Sequence, residues 1–305
     1  MPTALEDPRV TVVVASRNRR EELLASLGRH RAPVVLVDNG STDGTAAAVR
    51  AVHPHVDVVE LPRNVGAAAR TLGTRRARSP YVAFADDDSW WAEGALRTAA
   101  DALAAHRTVA LVHARVLVGE DEQPDPFGDE LAASPLPQAA PLPGPRVLGF
   151  MACAAMVRRD AFLGVGGFDD VVRFPGEEER VAWDLTAAGW DLAFVPGAVV
   201  HHHPSPRRHS PDARARAVTR SALLTAVLRL PWPDVAARAR AAVGGRSRGA
   251  AVGGGARDAL RDLPRALRHR RVLPPRVLAD LDLLERTGTA RETDTAGPGR
   301  RGGTA

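Results

Sequence analysis

The chain has 305 residues, 45% hydrophobic and 25% charged, enough to bury a full core and carry an appendage. The formal net charge of +5 sets 41 basic side chains, all of them Arg, against 36 acidic ones, and the absent lysine excludes a P-loop nucleotidase. A single cysteine, Cys153, excludes an internal disulfide and fits a reducing compartment.

The opening "MPTALEDPRV" has no basic stretch ahead of an apolar run, so no secretory signal is expected. No apolar run approaches the ~18 residues that span a bilayer. The expected location is the cytoplasm, with a peripheral place at the inner face of the membrane open to the Arg-rich C-terminal part. From Pro204 to Arg276 there are 17 Arg against four acidic residues. Such a segment is either a solvated face or a surface for anionic lipid headgroups; nucleic acid is the less favoured partner.

In chain order, "VTVVVAS" is a continuous β-branched run, as for a strand buried on both faces. "RREELLASLGRH" has helical spacing, and "APVVLVDNGS" is a second buried strand. "TAAAVRAVH", "VDVVELP", "GAAARTLGTRRAR" and "YVAFADDD" continue the alternation of helix and strand. The pattern predicts an α/β fold with a doubly wound, mostly parallel sheet and helices on both faces. "WWAEGALRTAADALAAH" is expected to be helical from its tryptophans and "VALVHARVLV" a strand. The prolines of residues 119–147 predict a long surface loop. "GEEERVAWDLTAAGW" reads as a helix with acids in its first turn, and "DLAFVPGAVVHHH" as a strand. Helices are expected from about Ala213 to Leu230 and from Val277 to Arg286, with a break at "VGGRSRGAAVGGG". The expected organisation is an N-terminal tail (1–8), a main α/β domain (9–205), an Arg-rich helical extension (206–286) and a disordered tail (287–305).

Ligands of such sheets bind beyond the carboxyl ends of the strands. The clusters "SRNR", "DNGSTDG" and "DDDS" all fall there. Helix capping needs one residue, so three carboxylates, Asp86, Asp87 and Asp88, exceed it. The spacing of Asp86 and Asp88 suits Mg2+ or Mn2+ held jointly with substrate phosphates. Asp38 either closes an Asx turn or accepts hydrogen bonds from a nucleobase or ribose. Asn64, Gly66 and Arg70 form a loop and a helix entry suited to phosphate, or merely a capped helix with a surface arginine. Glu177 and Glu178 at a helix start are dipole partners or a general base. His201, His202 and His203 leave a strand together and are either structural or a source of imidazole for a metal.

Taken together, "VVVASRNR", "VLVDNGSTDGT", "RNVGAAAR", "YVAFADDDSWW", "VGGFDD", "GEEE…W…AAGW" and "VPGAVVHH" resemble, in that order, family 2 glycosyltransferases of the GT-A fold. The resemblance covers roughly Arg9 to Pro204. It implies transfer of a sugar from a nucleotide-diphosphate donor to an acceptor hydroxyl or amine, with inversion at the anomeric carbon. It places Ser16, Asn18 and Arg19 beside the base, Asp38 on the base or ribose, and Asn64, Gly66 and Arg70 beside the nucleotide. It assigns Asp86 and Asp87 to the nucleotide-sugar, with Asp88 the better metal ligand of the Asp86/Asp88 pair. Glu178, paired with Glu177, takes the place of the catalytic base, and His202, with His201 next, that of the late histidine. Gly167 to Asp169 match an acceptor-side segment. Arg180 stands where the family often has an acid, and Asp184 where it often has Arg, a swap that either keeps a local ion pair or marks a diverged acceptor end. The acceptor itself is not legible.

The rivals are a sugar nucleotidylyltransferase, whose Gly-rich triphosphate loop "ASRNRREE" lacks, and a catalytically silent sugar-binding or scaffold protein on the same fold. A dinucleotide dehydrogenase is excluded by the missing G-x-G-x-x-G after the first strand.

Overall fold

The computed structural model describes residues 5–205, 210–244 and 249–295. The first half folds as its β-branched runs dictate. Strand β1 (Val10–Ser16) leads to α1 (Arg20–Ser26), β2 (Val34–Asp38), α2 (Thr45–Val52), β3 (Asp57–Glu60), α3 (Ala68–Arg76) and β4 (Tyr81–Ala85). These four strands pair in parallel in the order β3-β2-β1-β4.

Next come β5 (Ser89–Trp91), α4 (Ala95–Ala105), β6 (Val109–Val118), β7 (Gln123–Pro124) and α5 (Pro126–Ala132). They are followed by β8 (Ala155–Arg158), α6 (Arg159–Gly164), α7 (Glu177–Ala187) and β9 (Asp191–His202). The sheet continues β4-β8-β6-β9-β5, with β7 on the flank of β6. This half is mixed: β6 and β9 run parallel, whereas β8 is antiparallel to both β4 and β6, and β5 is antiparallel to β9.

Alternate side chains of each strand feed two apolar layers. Val13, Phe84 and Val157 lie in the layer shared with Ala69, Phe162 and Trp183 of α3, α6 and α7. Val12, Val14 and Ala83 lie in the other, with Leu23 and Leu96 of α1 and α4. At Gly73 of α3 a Cβ would stand 2.5 Å from Val13 Cγ1, so this helix lies directly on the sheet.

Four helices follow: α8 (Pro211–Arg229), α9 (Trp232–Gly244), α10 (Gly249–Arg268) and α11 (Pro275–Thr295). Leu224, Val227 and Leu228 of α8 and Ala259 and Ala266 of α10 pack with Val171 and Val172, which fastens the extension to the loop after α6.

Four expectations are corrected. The tryptophans do not open a helix: Trp90 and Trp91 lie in β5, and α4 begins only at Ala95. Residues 119–147 hold β7 and α5, because Pro126 sits in the first turn, where no N–H is needed, and the Asp125 carboxylate accepts from Phe127 N. The glycines from Gly249 to Gly255 are helical, while residues 245–248 of the expected break lie outside the described residues. The tail expected from Thr287 is helical as far as Thr295, and residues 296–305 lie outside the described residues.

Candidate active site

The carboxyl end of β4 sends its three aspartates to three different partners. Asp86 forms an ion pair with Arg70 of α3, which is 6% exposed. Asp87 accepts a 2.6 Å hydrogen bond from Ser16 Oγ at the end of β1. Burial, and then Asp86 and Asp88 on either side, push the Asp87 pKa up to about 7 despite the Ser16 bond. Asp88 Oδ2 accepts from Ser205 N at 3.0 Å, and Asp88 Oδ1 lies 3.3 Å from His202 Nε2.

The short strand β5 causes this last contact. Its antiparallel register sets Ser89 opposite His202 and Trp90 opposite His201. Neighbouring strand residues point to opposite faces. His202 therefore meets Asp88, while His201 turns to Glu122, 2.7 Å away, and stacks on Trp90. The reach of β9 to this edge depends on an irregularity: between Val195 and Val199 it steps out of register with β6, at Pro196 and Gly197.

Arg70 joins the aspartates to α7. Its guanidinium lies 3.6 Å from Glu177, which is fully buried and whose two carboxylate oxygens have no hydrogen-bond partner. Burial, and then the Glu178 charge, hold Glu177 well above the usual carboxylate range, against the pull of Arg70. Burial opposes the Arg70 charge, but Asp86, Glu177 and Glu178 outweigh it and raise its pKa. Glu178 is only partly buried, and among the described residues no hydrogen bond fixes its carboxylate. Glu177 is thus the buried carboxyl, facing Arg70, and Glu178 is the carboxylate available to a ligand.

The strand-end loops are tied together locally. Asp38 Oδ1 accepts from Ser41 N at 3.0 Å, so this carboxylate closes an Asx-type turn. Asn18, at φ 54°, accepts from Thr42 N through Oδ1 and donates its own N–H to Ser41 Oγ. Asn64 Oδ1 accepts from Gly66 N. Arg19 donates to Ser205 Oγ at 2.7 Å, and that hydroxyl donates to Glu22 Oε1 at 2.8 Å.

Sequence reasoning missed three of these residues. Asn39 accepts from Val65 N and donates to Gly66 O, holding the Asn64–Gly66 loop against the end of β2. Ser205 and Glu22 link the chain after the histidines to α1. For Ser205 no spacing signal exists, since Asp88 is 117 positions away. At α7, Arg180 pairs with Asp184 at 2.6 Å, so the swapped charges do keep their ion pair.

Among the described residues no group of three or more His, Cys, Asp or Glu side chains could hold a metal by itself. The pair of Asp88 and His202 supplies one oxygen and one nitrogen donor. That fits a hard cation completed by water and ligand phosphates, which needs only one or two protein carboxylates. Among the same residues no helix is long and apolar enough to cross a membrane.

The family model described as "Glycosyl transferase family 2" matches residues 11–165. A pre-mycofactocin glycosyltransferase of Mycobacterium tuberculosis is 33% identical over 210 residues, covering 63% of this chain and 42% of that protein. The chain therefore spans less than half the length of that relative. An N-acetylglucosaminyl-diphospho-decaprenol L-rhamnosyltransferase of the same species is 27% identical over 236 residues, covering 64% of this chain and 75% of that one.

Among solved structures, the mannosyltransferase PcManGT of Pyrobaculum calidifontis, in complex with GDP-Man and Mn2+, aligns with a TM-score of 0.56 at 22% identity. That alignment covers 97% of this chain and 81% of the other. S. aureus TarS 1-349 in complex with UDP-GlcNAc aligns with a TM-score of 0.53 at 16% identity, covering 88% and 83%. These likenesses show that the fold is of the GT-A type.

Proposed function

Because the chain belongs to glycosyl transferase family 2, we propose that it moves a sugar from a nucleotide-diphosphate donor to an acceptor hydroxyl, with inversion at the anomeric carbon. The observation that carries this reading is the convergence of two acidic groups through one buried arginine: Asp86 of the β4 end and Glu177–Glu178 of α7 meet at Arg70.

Glu178 is the general base, because it is the carboxylate of that pair left without a fixed partner. It takes the acceptor hydroxyl proton as the oxygen attacks the face opposite the leaving diphosphate. Glu177, fully buried and facing Arg70, lies away from the incoming acceptor. Arg70 fixes Asp86 and sets the spacing between donor and acceptor sides. The loops pinned by Asn18, Asp38 and Asn39 form the floor for base and ribose, and Asn64 and Gly66 bring the start of α3 toward the donor. Asp88 and His202 are the residues that would hold Mn2+ or Mg2+, which when bound supplies Lewis-acid charge for the departing diphosphate. His201, turned to Glu122, has no part in that donor set. The sugar, the base and the acceptor stay open in this reading.

The test is donor binding followed by calorimetry. Candidate nucleotide-sugars are titrated with and without Mn2+ into the wild type and Asp88→Ala. Manganese-dependent donor binding in the wild type, lost in Asp88→Ala, is the expected result. Equal affinity of the two proteins in Mn2+ would remove Asp88 from the metal site.

A further inference from the structure

The loop after α6 and the end of α10 enclose a cavity of about 530 Å3, apart from the β4 carboxylates. Six guanidiniums line it: Arg180, Arg229, Arg265, Arg268, Arg270 and Arg271. Asp169 and Asp170 are the carboxylates in its wall.

The charges do not balance. Arg180 and Arg229 share a single carboxylate, Asp184. Arg265 is paired with Asp170. Arg180 is 3% exposed, and its Nε, 3.2 Å from Asp169 Oδ2 but out of hydrogen-bond alignment, has no acceptor. Arg270 donates to the carbonyl oxygens of Val227 and Leu230, which carry no charge, and burial alone pushes its pKa down. Arg268 and Arg271 are exposed, and among the described residues neither forms an ion pair. Six guanidiniums against Asp169, Asp170 and Asp184 leave a surplus of three positive charges around one hollow.

We propose that this cavity binds a phosphate or diphosphate ester group, at a site distinct from that of the donor diphosphate. Guanidinium forks match phosphate oxygens in pairs, and a diphosphate carries enough negative charge to offset the surplus, which one carboxylate or halide does not. Val165 and Val171, in the same wall, give the carbon part of the ester an apolar surface. The cavity wall includes Arg180 of α7, the helix that also carries Glu178 on another face, and an ester held there is read as part of the acceptor. Binding of the ester stands without the transfer reaction; its belonging to the acceptor rests on the reaction proposed above.

The probe is inorganic pyrophosphate, titrated calorimetrically into the full chain in EDTA so that no cation at Asp88 contributes. Arg268→Ala/Arg271→Ala is expected to weaken binding about ten-fold, one lost charge-assisted contact being enough for that. The charge-matched Arg107→Ala/Arg115→Ala, on exposed residues outside the cavity lining, is expected to keep wild-type affinity.

Co-sedimentation with phosphatidylglycerol and phosphatidylcholine vesicles then identifies the source. Binding to phosphatidylglycerol alone, reversed by pyrophosphate, identifies a lipid headgroup. Pyrophosphate binding without sedimentation on either vesicle identifies a soluble ester. No pyrophosphate binding by the wild type at millimolar concentration overturns the site. So does an equal affinity in wild type and the Arg268/Arg271 variant, or an equal loss in both double variants.

Discussion

Two regions of this molecule concentrate opposite charges and manage them differently. At the end of β4, carboxylates crowd around one arginine, and burial eases the excess by favouring the protonated forms: it holds Glu177 well above the usual carboxylate range and pushes Asp87 up to about 7. Around the cavity at the end of α10, guanidiniums outnumber carboxylates and cannot lose their protons at any ordinary pH. The acidic cluster can therefore stand alone, and its charge appears as needed by a cation. The basic cluster keeps its surplus and must be balanced from outside.

Variants can break this contrast at either end. The largest effect is expected from Glu178→Gln, which keeps size and removes the proposed proton acceptor. Steady-state turnover should fall by about 10²–10⁴, with donor affinity by calorimetry retained. Near-normal turnover would transfer the base role elsewhere.

On the basic side, Asp184→Ala leaves both Arg180 and Arg229 without their shared carboxylate. A loss of about 3 kcal/mol in urea unfolding is expected, because breaking a mostly buried pair strands its charges. At Gly255 an added Cβ would stand 2.5 Å from the Arg216 carbonyl oxygen on α8. Gly255→Ala should therefore push the start of α10 outward, at a cost of about 1–3 kcal/mol in urea unfolding.

The smallest effect gives a baseline away from both clusters. His113 on β6 is fully buried, its ring nitrogens have no hydrogen-bond partner, and burial lowers its pKa to about 3. Its unfolded value lies near 6.5, so the unfolded chain binds the extra proton first as pH falls. Its neutral form supports the fold above about pH 6.5, and that support is lost progressively between 6.5 and 3, by up to about 1.4 kcal/mol per pH unit. His113→Leu should flatten this acid limb in thermal unfolding at pH 5 and change little at pH 7.

How much of this was legible depended on where the decisive partner lay. β1, β2 and β4 are continuous apolar runs, and their carboxyl ends carry the polar clusters, so the sheet and Asp88 could be read locally. β5 could not. "SWWAEGAL" favours helix on local grounds, and its strand exists because His201 and His202, more than a hundred residues on, supply the pairing edge. The glycines of α10 argue against helix by propensity, yet they are what lets α10 approach Arg216 and Thr219 of α8. In α5 the prolines hid a capped start. At the site, which of His201 and His202 faces Asp88 had to wait for the register of β9 on β5. The different burial of Glu177 and Glu178 had to wait for the seating of α7.

Gly73 sets the reach of the arginine that joins the two acidic groups. Because it has no side chain, α3 rests on Val13 and Val37, and Arg70, one turn earlier, enters the interior at a fixed depth. The missing methyl thus works as a spacer of zero thickness. Any residue with bulk there would lift the whole lever, and the site would lose its alignment without the loss of one charged group.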